Sequence, residues 1–262
     1  MVRIACGRLG DVRRTGASRL ALAGLALVLF NFAATILVIV GSAVALPRFH
    51  PLWLRAALIA AAHVFANACG IIAAYQIAFA GRRRSIVPLG LAPARRVIST
   101  VALYLVLVVV VTAVGAAITR AIGLDHGTTS IDTDDRSLRY RLVIAVVVVL
   151  VAPWIEEIAF RGLLLGALWS RFGFWTAAVV SGFTWAGIHL TPSVLIIFTA
   201  EGALLAWVRR RTGSILTGVG LHGAQNTLAA GLSGGGLAPL PVAGVLLATI
   251  VAADRYTRTI RA

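Results

Sequence analysis

The sequence predicts an all-α, polytopic transmembrane helix bundle of about eight membrane helices with both termini cytoplasmic, and three observations carry that expectation. Of its 262 residues, 60% are hydrophobic and 13% charged, against about 45–50% and about 25% in soluble domains. Mean hydropathy is +0.94. Apolar runs recur at the length of a membrane span, about 20 residues. Together these exclude a soluble globular enzyme, a disordered tail and a disulfide scaffold.

The candidate helices fall at roughly 20–46, 52–80, 97–119, 140–170, 174–190, 193–208, 214–232 and 238–253. The first follows Arg13 and Arg14 and contains an Ala43-Val44-Ala45 stretch like a signal-peptide cleavage site. Its apolar run is far longer than the h-region of a signal peptide, about 7–15 residues, so it reads as a retained anchor. The two cysteines, Cys6 in a polar N-terminus and Cys69 within an apolar run, offer no disulfide framework.

All 24 basic residues are arginine, which with 9 acids gives a net charge of +15. Such a balance can mark nucleic-acid binding. Here the arginines lie between apolar segments, so they read as helix flanks and no nucleic-acid partner is expected. With alternating helices and a cytoplasmic N-terminus, 17 arginines fall inside, 6 outside, and Arg161 within a helix. That asymmetry places both ends in the cytoplasm. The one strongly acidic stretch, with Asp125, Asp132, Asp134 and Asp135, reads as a solvated outer loop without the spacing of an EF-hand. It divides the chain into an N-terminal transmembrane region, 1–139, and a C-terminal region, 140–253, followed by a cytoplasmic tail, 254–262.

The C-terminal region holds ionisable groups inside apolar helices: Glu156, Glu157, Arg161, His189, Glu201 and His222, with Asn226. Charge within a bilayer costs several kcal/mol, so each is a functional hypothesis. Glu157 and Arg161 are four apart and share a helix face in the favourable order. Glu156 points about 100° away, toward another helix. Pro153 loosens the backbone just before the pair. A purely structural salt bridge would explain Glu157 and Arg161 but would leave Glu156 uncompensated.

His222 and Asn226 are also four apart and aim at one spot. They suit two donors converging on an oxyanion, or a metal ligand with a supporting amide; spacing does not separate these. At 1.5 Å per residue, Glu156 lies about 21 Å from the helix end near 170, His189 about 22 Å from 174, and His222 about 14 Å from 213. These depths are compatible with one site.

In this order, Glu156-Glu157-x-x-x-Arg161, an aromatic-x-x-x-His at Trp185–His189, and His222-x-x-x-Asn226 resemble the CPBP (Abi) family of intramembrane metalloproteases, related to type II CAAX prenyl endopeptidase. Arg211-Thr-Gly-Ser-Ile215 is also like the family. The resemblance covers roughly 140–232. It implies an intramembrane endopeptidase acting on a peptide or protein substrate in or at the membrane, and an integral multi-pass protein in the lipid bilayer of a bacterial plasma membrane. Glu156 would be the general base, His189 would help hold it, Glu157 and Arg161 would orient it, and His222 with Asn226 would stabilise the oxyanion. The family's motif usually has Phe where this chain has Trp185, which keeps an aromatic wall for the substrate. The family label implies zinc, for which Glu156, His189 and His222 would be the ligands. The same groups could work metal-free as base and oxyanion donors, and the chain has no His-Glu-x-x-His motif.

Two other classes share part of this pattern. A proton- or ion-coupled transporter also places Glu, His and Arg in the membrane, but the repeats and paired broken helices of transporters are not visible. A non-catalytic immunity or scaffold protein would use polar groups only to join helices. His63, Asn67, Asn31 and Gln76 read that way. Glu201 matches no motif of the family.

Overall fold

The computed structural model describes residues 18–19, 22–30, 33, 52–79, 90–92, 94–124, 137–189, 191–232 and 236–259. Among them every regular element is helical. After a helical stretch over 22–30 come α1 (Leu52–Phe79), α2 (Val97–Ala121), α3 (Leu138–Trp169), α4 (Phe174–Gly187), α5 (Leu195–Thr212, entered through a 3₁₀ turn at Pro192–Val194), α6 (Leu216–Ala230) and α7 (Pro239–Thr259). Five are long and apolar enough to cross a membrane: α1, α2, α3, α5 with its 3₁₀ turn, and α7. The other two, α4 and α6, have 14 and 15 residues. At 1.5 Å per residue they are about 21 and 23 Å long, short of a hydrocarbon core of about 30 Å.

Helix α3 departs from α geometry twice, with π-helical turns at Val146–Val151 and Glu157–Leu164. Pro153 lies between them. In the first π turn the Ala152 N–H bonds to the Val147 carbonyl, five residues back. The next donor would be Pro153, which has no N–H, so the Val148 carbonyl loses its partner within the helix. Asn226 of α6 supplies one, donating Nδ2 to Val148 O at 2.7 Å. An unpaired carbonyl in an apolar interior costs on the order of 1–3 kcal/mol, so this bond fastens α6 to α3 at the level of the bend. In the second π turn the Leu165 N–H bonds to the Phe160 carbonyl, five residues back, and Ser181 of α4 donates its hydroxyl to the same oxygen at 2.9 Å.

Apolar packing completes the bundle. Phe160, Leu163, Trp185 and Ile215 form one cluster with Leu27 of the first helical stretch, and Val149, Val219, Val242 and Leu246 join α3, α6 and α7. Tyr104 of α2 packs with Leu205, Val208 and Leu221. At one end three segments are laced together. Arg95 N–H donates to Thr212 O at 3.0 Å, Ile215 N–H to Gly90 O at 3.0 Å, and Ala94 N–H to Asp254 Oδ1 at 3.1 Å. Arg210 lies 4.5 Å over the Phe174 ring at the start of α4. The described residues at 90–95, 210–215 and 254, with Phe174, thus share one end of the bundle.

Several sequence expectations lie outside the described residues: the remainder of the first helix, Cys6, Asn31, the side chain of His63, and the acidic loop. Asn67 is buried, whereas Gln76 is exposed, contrary to its reading as a helix-joining residue.

Candidate active site

The two adjacent glutamates of α3 do different things. Glu157 is fully buried and faces Arg161, whose Nη1 is 3.0 Å from Glu157 Oε1; both side chains are inaccessible. The approach is off-axis, so opposite charge rather than an aligned hydrogen bond joins them. Arg161 also donates Nη2 to the Gly202 carbonyl of α5 at 3.4 Å and lies 4.7 Å over the Trp185 ring. Glu156, one residue earlier, keeps 12% of its side chain exposed. The 100° offset expected between neighbouring helix positions therefore separates one locked carboxylate from one accessible carboxylate.

His222 of α6 is set against both. Its Nε2 is 3.7 Å from Glu156 Oε2 and its Nδ1 is 3.5 Å from Glu157 Oε1. These distances exceed ordinary hydrogen bonds, so the ring sits in the field of two carboxylates and one guanidinium. His189 is reached through aromatic neighbours. Its Nδ1 lies 2.9 Å from the Trp185 carbonyl, and its ring meets Trp185 and Phe198 edge-on at 5.2 and 4.8 Å. Trp185 in turn donates its indole N–H to Glu156 Oε2 and meets the His222 ring edge-on at 5.4 Å. Asn226 lies one turn beyond His222 with one amide N–H given to Val148. Glu156, Glu157, Arg161, Trp185, His189 and His222 are thus parts of one contact network, with His189 linked to Glu156 through Trp185, whereas Asn226 bonds to the backbone of α3.

Two glycines that sequence reasoning passed over make the site possible. A Cβ on Gly218 of α6 would lie 2.7 Å from Glu157 Oε2, and one on Gly202 would lie 2.6 Å from the Gly182 Cα and 3.2 Å from Arg161 Nη2. Missing side chains there let α6 press on the carboxylate and let α4 and α5 cross closely enough for a carbonyl to reach the guanidinium. Sequence reasoning also missed the contribution of α2. The Tyr104 hydroxyl donates to Gln225 Oε1 at 2.6 Å, three residues past His222, and Thr112 donates to Glu201 Oε1 at 3.1 Å. Glu201, unplaced by any motif, is thereby a hydrogen-bond acceptor between α2 and α5.

The helix order and the buried ionisable groups define a helical membrane protein with a polar centre. Residues 138–228 match the family model for type II CAAX prenyl endopeptidase, Rce1-like. The chain is also 32% identical over 78 residues to Putative membrane peptidase YdiL of Bacillus subtilis (strain 168). That match covers 30% of this chain and 32% of the relative. No solved structure matches.

Whether these residues suit the zinc that the family label implies can be asked of the donors themselves. Zinc needs three protein ligands converging within about 2.0–2.3 Å of one point. Among the described residues no three His, Cys, Asp or Glu side chains form such a group. Glu156 Oε2 is occupied by the Trp185 N–H, and His189 presents its Nδ1 to a backbone carbonyl. The donor set in this arrangement does not fit a zinc site.

Proposed function

We propose that this protein is an intramembrane endopeptidase that hydrolyses a peptide bond of a membrane-associated substrate with water activated by Glu156. The observation that carries the reading is the split between neighbouring carboxylates: Glu157 is sealed with Arg161, while Glu156 stays accessible beside His222. Glu156 takes a proton from water as the oxygen attacks the scissile carbonyl carbon. The negative charge moves to the carbonyl oxygen, where His222 and the second amide N–H of Asn226 donate to it. The proton on Glu156 then passes to the leaving nitrogen as the C–N bond breaks. Glu157 and Arg161 balance one another and fix the turn from which Glu156 projects. His189 steadies the Trp185 backbone beside the base.

No step runs through a metal, and cleavage is expected to persist in the presence of chelator. The test compares the membrane proteomes of cells producing the wild type and Glu156→Gln, read as new protein N-termini. The Gln variant should lower them by about 10²–10⁴-fold, the usual contribution of a general base, while remaining folded in detergent. Unchanged cleavage by a purified Gln variant would remove Glu156 from the reaction.

A further inference from the structure

Trp185 occupies the position from which an aromatic wall for substrate was expected, yet its surroundings leave little ring for a substrate to touch. The residue is 4% exposed. Phe198 stacks on it at 5.4 Å and 26°, the Arg161 guanidinium covers it at 4.7 Å, and the His189 and His222 rings stand edge-on to it. Its polar atom has a single contact, the indole N–H to Glu156 Oε2.

We propose that Trp185 is a positioning residue for Glu156, its indole N–H pinning Oε2 so that Oε1 is the oxygen presented to water. This rests on the reading of Glu156 as the base. A glutamate side chain has three rotatable bonds, and an unpinned base would spread over several rotamers. The N–H removes that freedom at one oxygen and leaves the other without this contact. Arg161 strengthens the hold, because a cation over the ring draws electron density from the indole and makes its N–H a better donor. The residue that compensates Glu157 thus also reaches Glu156, through the ring lying between them. A phenyl ring at this position would preserve the stacking on Phe198 and lose the donor.

The experiment has a spectroscopic arm that needs no substrate. In ¹⁵N-labelled full-length protein in detergent micelles, the Trp185 indole signal is identified as the one of six tryptophan signals that Trp185→Phe removes. Glu156→Gln should shift that signal, and Glu201→Gln should leave it in place. A signal indifferent to Glu156→Gln overturns the contact.

The kinetic arm uses a peptide spanning a cleavage site found by its dependence on Glu156. Trp185→Phe should lower kcat about ten- to a hundredfold, the worth of one charge-assisted hydrogen bond, with KM unchanged. Benzothienylalanine at 185, which keeps the bicyclic shape and lacks the N–H, should reproduce that loss and serves if the phenylalanine variant does not fold. Full turnover in either folded variant overturns the positioning role, as does a loss confined to KM, which would return Trp185 to the substrate wall. If the wild type yields no Glu156-dependent cleavage, the peptidase reading fails, and the indole signal alone decides whether Trp185 holds Glu156.

Discussion

Helices α2 and α3 are both apolar enough to span a membrane, yet they are built for opposite surroundings. In an apolar 18-residue window of α2, 11% of the residues are buried, against 39% in the corresponding window of α3. The outward residues of α2 include Ile98, Leu105, Val109 and Val114, and its buried polar side chains are hydroxyls: Thr100, Tyr104 and Thr119. Beyond Arg139 and Arg141 in its first turn, helix α3 carries two carboxylates and a guanidinium, two π turns and a proline. The contrast shows where a membrane protein tolerates charge. It does so where the backbone is irregular and neighbouring helices offer groups to satisfy it, as Asn226 does for the Val148 carbonyl of α3.

The comparison breaks most sharply at the buried pair. Arg161→Ala leaves Glu157 as an uncompensated charge and should destabilise by about 3–5 kcal/mol, read as loss of thermal stability in detergent. Arg161→Met combined with Glu157→Gln should cost less than the single change; a double variant worse than Arg161→Ala would show that the pair stabilises rather than merely balances.

Gly218→Ala comes next. Its added methyl collides with Glu157 Oε2 and should cost about 1–3 kcal/mol, as overpacking does. Glu157→Asp, which shortens the acid by one methylene, should recover part of that stability in the Gly218→Ala background. Equal penalties for Glu157→Asp in both backgrounds would contradict the close approach.

Single hydrogen bonds between helices should matter less. Asn226→Ala and Thr112→Val each remove one and should cost about 0.6 kcal/mol, up to about 1.7. Asn226→Ala should be the larger, since it strands the carbonyl that Pro153 leaves open. Smallest of all, Val109→Leu on the outer face of α2 should change stability by no more than about 0.5 kcal/mol. A larger loss would mean that this face is covered by protein.

How much of this was legible in the sequence follows the same divide. Apolar runs gave the positions of all seven later helices to within a few residues, apart from the longer C-terminal ends of α5 and α7. Charge in apolar surroundings singled out Glu156, Glu157, Arg161, His189 and His222, because an ionisable side chain in a membrane helix is conspicuous in any register. The π turns were not legible. Pro153 signalled a loosened backbone, but the side chains that bond the carbonyls of these turns, Asn226 and Ser181, lie 78 and 21 residues away from them. Gly218 and Gly202 were hidden among 26 glycines, and only the approach of Glu157 or Arg161 distinguishes them. Likewise, Tyr104 and Thr112 lie in an otherwise lipid-facing helix outside the motif-bearing region. Their partners Gln225 and Glu201 are 121 and 89 residues away.

The Glu157–Arg161 pair has a consequence for biogenesis. Both members lie on α3 four residues apart, so they can meet as soon as that segment coils, before any other helix arrives. Each charge would oppose transfer from the translocon by about 2.5–3.5 kcal/mol if it entered alone. A counterion carried on the same segment, upstream of which runs Val146 to Val151, lowers that barrier. Partitioning of α3 into lipid need not wait for α4 and α6. Only Glu156 enters without its own companion, and its partners come from helices synthesised afterwards.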